Sequence, residues 1–311
     1  MPRDLPIIDA HHHFWDLTHN DHPWLRPDHP PIPFRYGDYG ALRGRDFLPE
    51  NYDALTGHHR VVATVTMEGE WNPADPTGES AWIARLHART GRPAGHVAQA
   101  WLDREDVEAV LATQAAIPLV KGVRHKPRTA VAPDRVERGA PGSMGDPRWR
   151  AGYARLAPHG LHFELQAPWW HLGEALDLIE AHPETPLVLN HTGLPSDRSA
   201  EGLAGWRAAM RRLAQAPQAS VKISGLGLRG RPWSLEDNRP IIRETIEIFG
   251  VPRCMFASNF PVDGLCGSFV TIFDGFREAV ADLPWPDQLA LFHDNAIRTY
   301  RLSLPLAAGA A

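Results

Sequence analysis

Short apolar runs recur along the chain, and each is followed by a segment in which apolar residues return at helical spacing. The short runs predict eight strands, over 5–10, 61–67, 96–101, 119–124, 161–166, 187–190, 219–224 and 254–258. The periodic segments between them predict helices over 79–90, 104–114, 146–157, 171–181, 201–215, 238–249, 268–281 and 286–302. The chain therefore alternates strand and helix throughout its length.

This alternation is typical of parallel βαβ units, and eight such units predict a closed (β/α)8 barrel, or TIM barrel. A chain of 311 residues suits one barrel of roughly 250 residues with insertions. No internal repeat or linker marks a second domain. We therefore expect residues 1–311 to form a single α/β domain.

Two segments interrupt the alternation, and both begin just after a predicted strand. Residues 14–60 are rich in Pro, His and Trp and include a predicted short helix over 49–57, whereas residues 125–145 are rich in Pro, Gly and Arg. In a barrel of this type these strand ends form the active face. The two insertions are candidate lids or pocket walls, the alternative being surface ornament.

Composition and charge indicate what kind of molecule the chain binds. The chain is 43% hydrophobic and 22% charged, carries a net charge of −5 without basic clusters, and contains two cysteines. These values favour a small-molecule substrate over a nucleic acid or a membrane, and a reducing, cytoplasmic location. The N-terminal residues lack the apolar stretch of a signal peptide. The sequence leaves open whether the chain forms a homo-oligomer.

The most specific chemical signal is the pair His11 and His13 at the end of the first strand. Side chains alternate across a strand, so His11 and His13 share one face and His12 takes the other. Two imidazoles on one face can bind a metal or polarise a substrate oxygen. A tag remnant would instead be a longer histidine run in a featureless flank.

Polar residues also end the other predicted strands, where catalytic groups of a barrel meet. They are Glu68, Gln99, Trp101, Arg124, His125, Glu164, Gln166, Asn190, His191, Lys222, Ser224, Ser258, Asn259 and Asp263. Isolated polar residues at strand ends usually satisfy backbone groups, but eight such ends predict a site.

The candidates differ in the roles that their chemistry allows. His191 is a predicted catalytic residue, while Arg124 and His125 could bind a carboxylate or an oxyanion, or Arg124 could serve as an ion-pair partner. Lys222 lies within an apolar strand and is either a paired core charge or a substrate contact. Glu68 and Glu164 are possible ligands or acid–base groups, and Gln166 a substrate contact.

Two polar side chains follow the eighth predicted strand, and they differ in the roles that they could play. Asp263 is the carboxylate nearest this end and could act as general base, or it could form an Asx turn after Pro261. Asn259 has no useful basicity, and it could orient water or bind substrate.

Four motifs together resemble the amidohydrolase-related branch of the amidohydrolase superfamily, which includes sugar-lactone hydrolases. They are Asp9-Ala-His-His-His-Phe-Trp-Asp16, His191-Thr-Gly-Leu-Pro195, Cys254-Met-Phe-Ala-Ser-Asn-Phe-Pro261 and Asn295-Ala-Ile-Arg-Thr-Tyr-Arg301. The resemblance runs from residue 7 to about residue 302. It implies a distorted (β/α)8 barrel with His11 and His13 on strand one and His191 on strand six.

The resemblance also bears on metal binding and mechanism. Binuclear members of the superfamily add a modified lysine on strand four and a histidine on strand five, and this chain has neither at those places. The resemblance therefore implies one divalent metal, with zinc as the candidate and His11 and His13 as ligands, or a metal-independent site. The related lactonases place an aspartate where this chain has Asn259.

The leading hypothesis is a hydrolase of a small cyclic ester, a sugar lactone or carboxylated lactone. His11, His13 and any metal would polarise the carbonyl, Arg124 and His191 would bind substrate oxygens, and Asp263 or His191 would activate water. The alternatives are a metal-dependent decarboxylase of a small carboxylic acid and a non-catalytic ligand-binding barrel.

Overall fold

The eight predicted strands are all present in a computed structural model, which describes residues 4–32 and 37–304. They are β1 Ile7–His12, β2 Val61–Met67, β3 Gly95–Gln99, β4 Val120–Arg124, β5 His162–Leu165, β6 Leu187–Leu189, β7 Ala219–Ile223 and β8 Cys254–Phe256. Neighbours along the chain pair in parallel, in the order β1 to β8. Parallel strands covered on both faces read as continuous apolar runs, which is why the sequence pattern located them.

The barrel closes through the backbone between its last and first strands. Asn259 N donates to His11 O at 2.7 Å, and His13 N donates to Phe260 O at 2.8 Å. The loop after β8 is thereby fixed against the end of β1. The predicted single-domain TIM barrel is confirmed.

Ten α-helices are described, and most of them follow a strand and cover the outside of the barrel. They are α1 Pro49–Asp53, α2 Gly78–Thr90, α3 Val107–Ala115, α4 Pro147–Tyr153, α5 Leu172–Ala181, α6 Ala200–Leu213, α7 Leu235–Phe249, α8 Phe269–Ala279, α9 Trp285–Leu289 and α10 Asn295–Tyr300. Side-chain caps set several starts. Ser234 Oγ, for example, accepts a hydrogen bond from Asp237 N, so α7 begins three residues before the predicted start.

Other element bounds also differ from the prediction. The first strand extends to His12, so His11 lies within it and His13 just beyond it. The predicted helix over 286–302 is interrupted by a π-helical turn over 290–294 between α9 and α10. The predicted helix over 49–57 ends at Asp53, before Gly57 adopts a φ of +59°.

Two buried apolar layers hold this arrangement together. One layer lies inside the barrel, where Ile8, Val65, Val97 and Val188 pack towards Tyr300 of α10. The second lies between strands and helices and carries most of the tryptophans and phenylalanines. Within the described ranges, no helix is long and apolar enough to cross a bilayer.

Two described parts of the 14–60 insertion meet beyond the end of β1. Trp15 and Phe47 exchange two backbone hydrogen bonds of 3.0 and 2.9 Å, which fix these two parts against each other. Trp15 and Phe47 are both buried. These two residues are therefore part of the packed structure at this end of the barrel.

Candidate active site

A pocket of about 570 Å³, its open mouth included, lies at the carboxyl ends of the strands. Residues from strand ends and from the 14–60 insertion form its walls: His13, Trp24, Ile32, Tyr39, Glu68, Gly69, Glu70, Arg124, Lys126, Gln166, His191, Asn259 and Val262. Six of the predicted site residues therefore share one cavity. Active sites of TIM barrels occupy this face.

The histidines of β1 divide between the two faces of the strand, as predicted. The rings of His11 and His13 lie 5.4 Å apart between centroids, while His12 packs against Phe14 and Tyr52 on the other side. His13 Nδ1 lies 3.1 Å from Met67 O. A carbonyl can only accept, so Nδ1 carries the proton and Nε2 carries the lone pair.

Burial keeps both of these imidazoles neutral. Removal from water, followed by repulsion from Lys222, lowers the pKa of His11 well below its usual range. Removal from water and repulsion from Arg124 do the same for the pKa of His13. At neutral pH each ring therefore has one nitrogen lone pair and one N–H group.

His191 enters the pocket from a strained turn after β6. Its ring lies 4.6 Å from that of His11, and its Nδ1 lies 2.8 Å from Ser224 Oγ. His191 and Thr192 have φ values of +53° and +52°, which are uncommon for residues with a β-carbon. Trp206 Nε1 of α6 donates to Thr192 O at 2.7 Å and fixes the turn. Such strain persists where surrounding contacts enforce it, typically at functional sites.

Arg124 is fixed by four hydrogen bonds at the end of β4. Its Nε donates to Glu68 Oε1 at 2.5 Å, and one terminal nitrogen donates to Glu68 O at 2.8 Å. The other terminal nitrogen donates to Gln166 Oε1 at 3.0 Å and to Asn190 Oδ1 at 3.4 Å. A guanidinium has five N–H groups, so one remains for a ligand. Arg124 is thus both an ion-pair partner and part of the pocket wall.

Lys222 and Glu164 form a buried ion pair beneath the pocket. Lys222 Nζ lies 2.8 Å from Glu164 Oε2, and both side chains are fully buried. Tyr300 OH donates to Glu164 Oε1 at 2.7 Å, and Asn190 Nδ2 donates to Glu164 Oε2. Burial favours the protonated carboxyl, but Lys222 and the hydrogen bonds outweigh it and lower the pKa of Glu164 to about 2. Burial lowers the pKa of Lys222 to about 8, so both groups are charged at neutral pH.

Asn259 and Asp263 are joined in the loop after β8. Asn259 Nδ2 donates to Asp263 Oδ1 at 2.6 Å, and Gly225 N donates to Asp263 Oδ2 at 3.1 Å. Asn259 lines the pocket with a φ of +56°, a conformation that asparagine tolerates. Asp263 is buried behind it and is not part of the pocket wall. The amide of Asn259 is thereby oriented with its Nδ2 towards Asp263.

Other predicted residues lie at the edge of this arrangement. His125 Nδ1 accepts a hydrogen bond from Leu102 N at 3.0 Å, and the ring stacks on Trp149. His125 lines a neighbouring groove, and of the 125–145 insertion only His125 and Lys126 reach either cavity.

Sequence reasoning missed several residues of the pocket wall. Trp24 and Tyr39 come from the 14–60 insertion, and Lys126 forms an ion pair with Glu70 at the rim. The position of Lys126, two residues beyond Arg124 after β4, was the available signal. The sequence offered no comparable signal for Trp24 and Tyr39, because their positions depend on tertiary contacts.

The side chains of His11 and His13 are of a type that binds divalent metals, but too few donor atoms of the described residues lie close together around them. Both ring nitrogens of His11 are buried without a hydrogen-bond partner, which suits a ligand. In the described part of the chain, however, neither His11 nor His13 belongs to a group of three His, Cys or carboxylate ligand atoms that all lie within 4.8 Å of one another. A zinc site needs at least three protein ligands that converge.

Comparison with known proteins agrees with the fold and with the motifs. A family model described as amidohydrolase matches residues 8–302. An uncharacterised protein of Sinorhizobium fredii, y4mH, is 36% identical over 299 residues, covering 96% of this chain and 99% of its own. An L-fucono-1,5-lactonase of Burkholderia ambifaria is 27% identical over 311 residues, covering 96% of each chain.

Solved structures extend the comparison. An amidohydrolase of Burkholderia multivorans with bound HEPES is 25% identical, with a TM-score of 0.76, over 96% of this chain and 99% of its own. A second crystal form, with bound zinc, is also 25% identical over the same shares and has a TM-score of 0.74. The family match runs from the first strand of the barrel to the last helix. This chain belongs to the amidohydrolase family of enzymes.

Proposed function

We propose that this protein hydrolyses a small cyclic ester, a sugar lactone or a carboxylated lactone. The observation that carries the proposal is one pocket in which a fixed guanidinium and two imidazoles face apolar walls. Such a pocket suits a ligand whose carbonyl develops negative charge during attack by water. The 27% identity to an L-fucono-1,5-lactonase supports the same substrate class.

Arg124 and His191 have complementary roles in this proposal. The remaining N–H of Arg124 donates to the lactone carbonyl and stabilises the oxyanion as it forms. His191, positioned by Ser224, accepts the proton of the attacking water, and Asn259 accepts a hydrogen bond from that water through Oδ1. The ring oxygen then leaves with the proton returned from His191, which gives the open hydroxy acid.

The remaining walls suit the body of such a substrate. Trp24, Tyr39 and Val262 offer apolar surface to one face of a sugar ring. Lys126 and Glu70 at the rim, together with Gln166, offer donors and acceptors to hydroxyl or carboxylate groups. Selectivity among lactones would come from these contacts.

The steps proposed above do not include a divalent metal. The sequence predicts that His11 and His13 hold it, with zinc as the candidate, but the donors among the described residues do not converge there. The proposed steps therefore use only this chain's own side chains. Assays with and without chelator test the metal prediction directly.

The proposal is tested by an activity screen on aldonolactones and carboxylated lactones, with ring opening followed as acid release. We expect turnover of at least one lactone and a fall of kcat by about 100-fold or more in His191→Asn. Asparagine tolerates the positive φ of this position, so the variant should fold. A matched control, His159→Gln, changes a histidine on the outside of the barrel and should retain full activity.

Two outcomes would overturn the assignment. One is the absence of ring opening with every lactone tested, for protein whose folding is verified by circular dichroism. The other is release of carbon dioxide from small carboxylic acids in place of lactone hydrolysis, which would establish the decarboxylase alternative.

A further inference from the structure

A second group of metal-ligating side chains lies on the outside of the barrel. His58 and His59 precede β2, and Asp274 lies in α8. His58 Nε2 is 3.0 Å and His59 Nε2 is 3.3 Å from Asp274 Oδ1, and one ligand atom from each residue lies within 4.8 Å of the others. None of the three lines the active-site pocket.

His59 is the residue that points to a ligand. Its side chain is fully buried, whereas the side chains of His58 and Asp274 are about half exposed. The ring packs against Phe269 and Phe273, with centroids 6.1 and 5.7 Å away. Neither ring nitrogen forms a hydrogen bond of good geometry, although the Asp274 carboxylate and a backbone group of Val270 lie close to the ring. Buried polar groups are nearly always satisfied, so an unsatisfied imidazole directed at a carboxylate calls for an explanation.

The chemistry of these side chains suits a cation. Two imidazoles and a carboxylate form a ligand set that zinc uses, with metal–ligand distances of about 2.0–2.2 Å. Small movements of the exposed His58 and Asp274 would reach those distances.

We propose that His58, His59 and Asp274 bind a divalent transition metal of the zinc type, with water completing the coordination. The site would join the end of the 14–60 insertion to α8. It is distinct from the histidines of β1, and its existence does not depend on the proposed lactone hydrolysis.

The test uses the full chain, freed of any affinity tag and stripped of metal with a chelator. Zinc is then titrated in competition with a chromophoric chelator, and bound metal is counted by elemental analysis. His58→Gln and Asp274→Asn each remove one ligand from a half-exposed position, so both variants should fold. His159→Gln changes a histidine that pairs with Glu108 away from the proposed site and serves as a control, and His13→Gln removes one histidine of the pocket.

We expect the wild type, His159→Gln and His13→Gln to share a zinc equivalent that His58→Gln and Asp274→Asn bind at least tenfold more weakly. Zinc should raise the melting temperature of the wild type but not that of Asp274→Asn. Lactone turnover, where present, should be unchanged in both site variants. The proposal is overturned if the wild type binds no zinc, if the site variants bind it equally well, or if His13→Gln abolishes all binding.

Discussion

At the scale of single residues, Asn259 and Asp263 form a hydrogen-bonded pair after the eighth strand. Asn259 faces the pocket, and Asp263 holds its amide from behind while accepting a second hydrogen bond from Gly225. The arrangement favours Asp263 as a positioning residue. Its role as general base remains a prediction from the sequence.

Exchanging the two side chains separates these roles. Asn259→Asp alone places two carboxylates in contact, so one must retain a proton, and we expect a loss of stability of about 1–3 kcal/mol at pH 8. The double variant Asn259→Asp with Asp263→Asn again pairs one amide donor with one carboxylate acceptor, with the two positions exchanged. Its stability should return, and its kcat should stay within about tenfold of wild type.

Urea unfolding and pH–rate profiles of the wild type and both variants measure these effects. If Asp263 is instead the general base, the double variant has no carboxylate at position 263. Its kcat should then fall by about 100-fold or more, the usual contribution of a general base. Recovered stability without recovered activity would therefore assign the base to Asp263.

At the scale of elements, a buried ion pair connects β5 to β7. Lys222 and Glu164 are both fully buried, and Tyr300 of α10 adds a third element through its bond to Glu164. The sequence left Lys222 as either a core charge or a substrate contact. The structure places its Nζ against Glu164 and Met67, outside the pocket wall.

Removing one partner of this pair should be far more costly than removing both. Lys222→Met leaves Glu164 buried without its cation, and we expect a loss of about 3–5 kcal/mol in the free energy of unfolding. Adding Glu164→Gln should restore most of it, because glutamine keeps a partner for Tyr300. Urea unfolding measures both. A double variant that is stable yet inactive would show that Lys222 contacts substrate.

At the scale of the whole molecule, buried neutral histidines make the fold sensitive to acid. Burial lowers the pKa of His12 to about 3 and that of His96 to about 4, from 6.5 in the unfolded chain. Between these values the unfolded chain binds more protons than the folded one. Stability is therefore fully present above pH 6.5 and is lost as the pH falls towards 4.

His12 and His96 together contribute about 2.7 kcal/mol per pH unit to the slope in this window, and the buried His11 and His13 add to it. The raised pKa of the buried Asp9 acts in the opposite direction. Urea unfolding at several values between pH 7.5 and 4.5 measures the slope, and His96→Gln should reduce it by about 1.4 kcal/mol per pH unit. An exposed control, His19→Gln, should leave it unchanged. An equal slope in wild type and His96→Gln would contradict this account.

The sequence by itself determined the barrel and the strand ends from which the site is built. Strand and helix differ in the period of their apolar residues, and parallel strands place their carboxyl ends on one face, so His13, Arg124, His191 and Asn259 could be assigned to that face without coordinates. Alternation across β1 likewise separated His12 from its neighbours.

Only the tertiary structure decided which polar residues face the pocket and which support it. The sequence does not show where the side chains of Asp263 and Lys222 point, because their partners Asn259, Gly225 and Glu164 are set by packing across strands and loops. The contributions of Trp24 and Tyr39 depend on how the 14–60 insertion folds over the barrel, and His58 meets Asp274 across 216 residues of chain. Such long-range contacts follow from packing in three dimensions, which local periodicity does not encode.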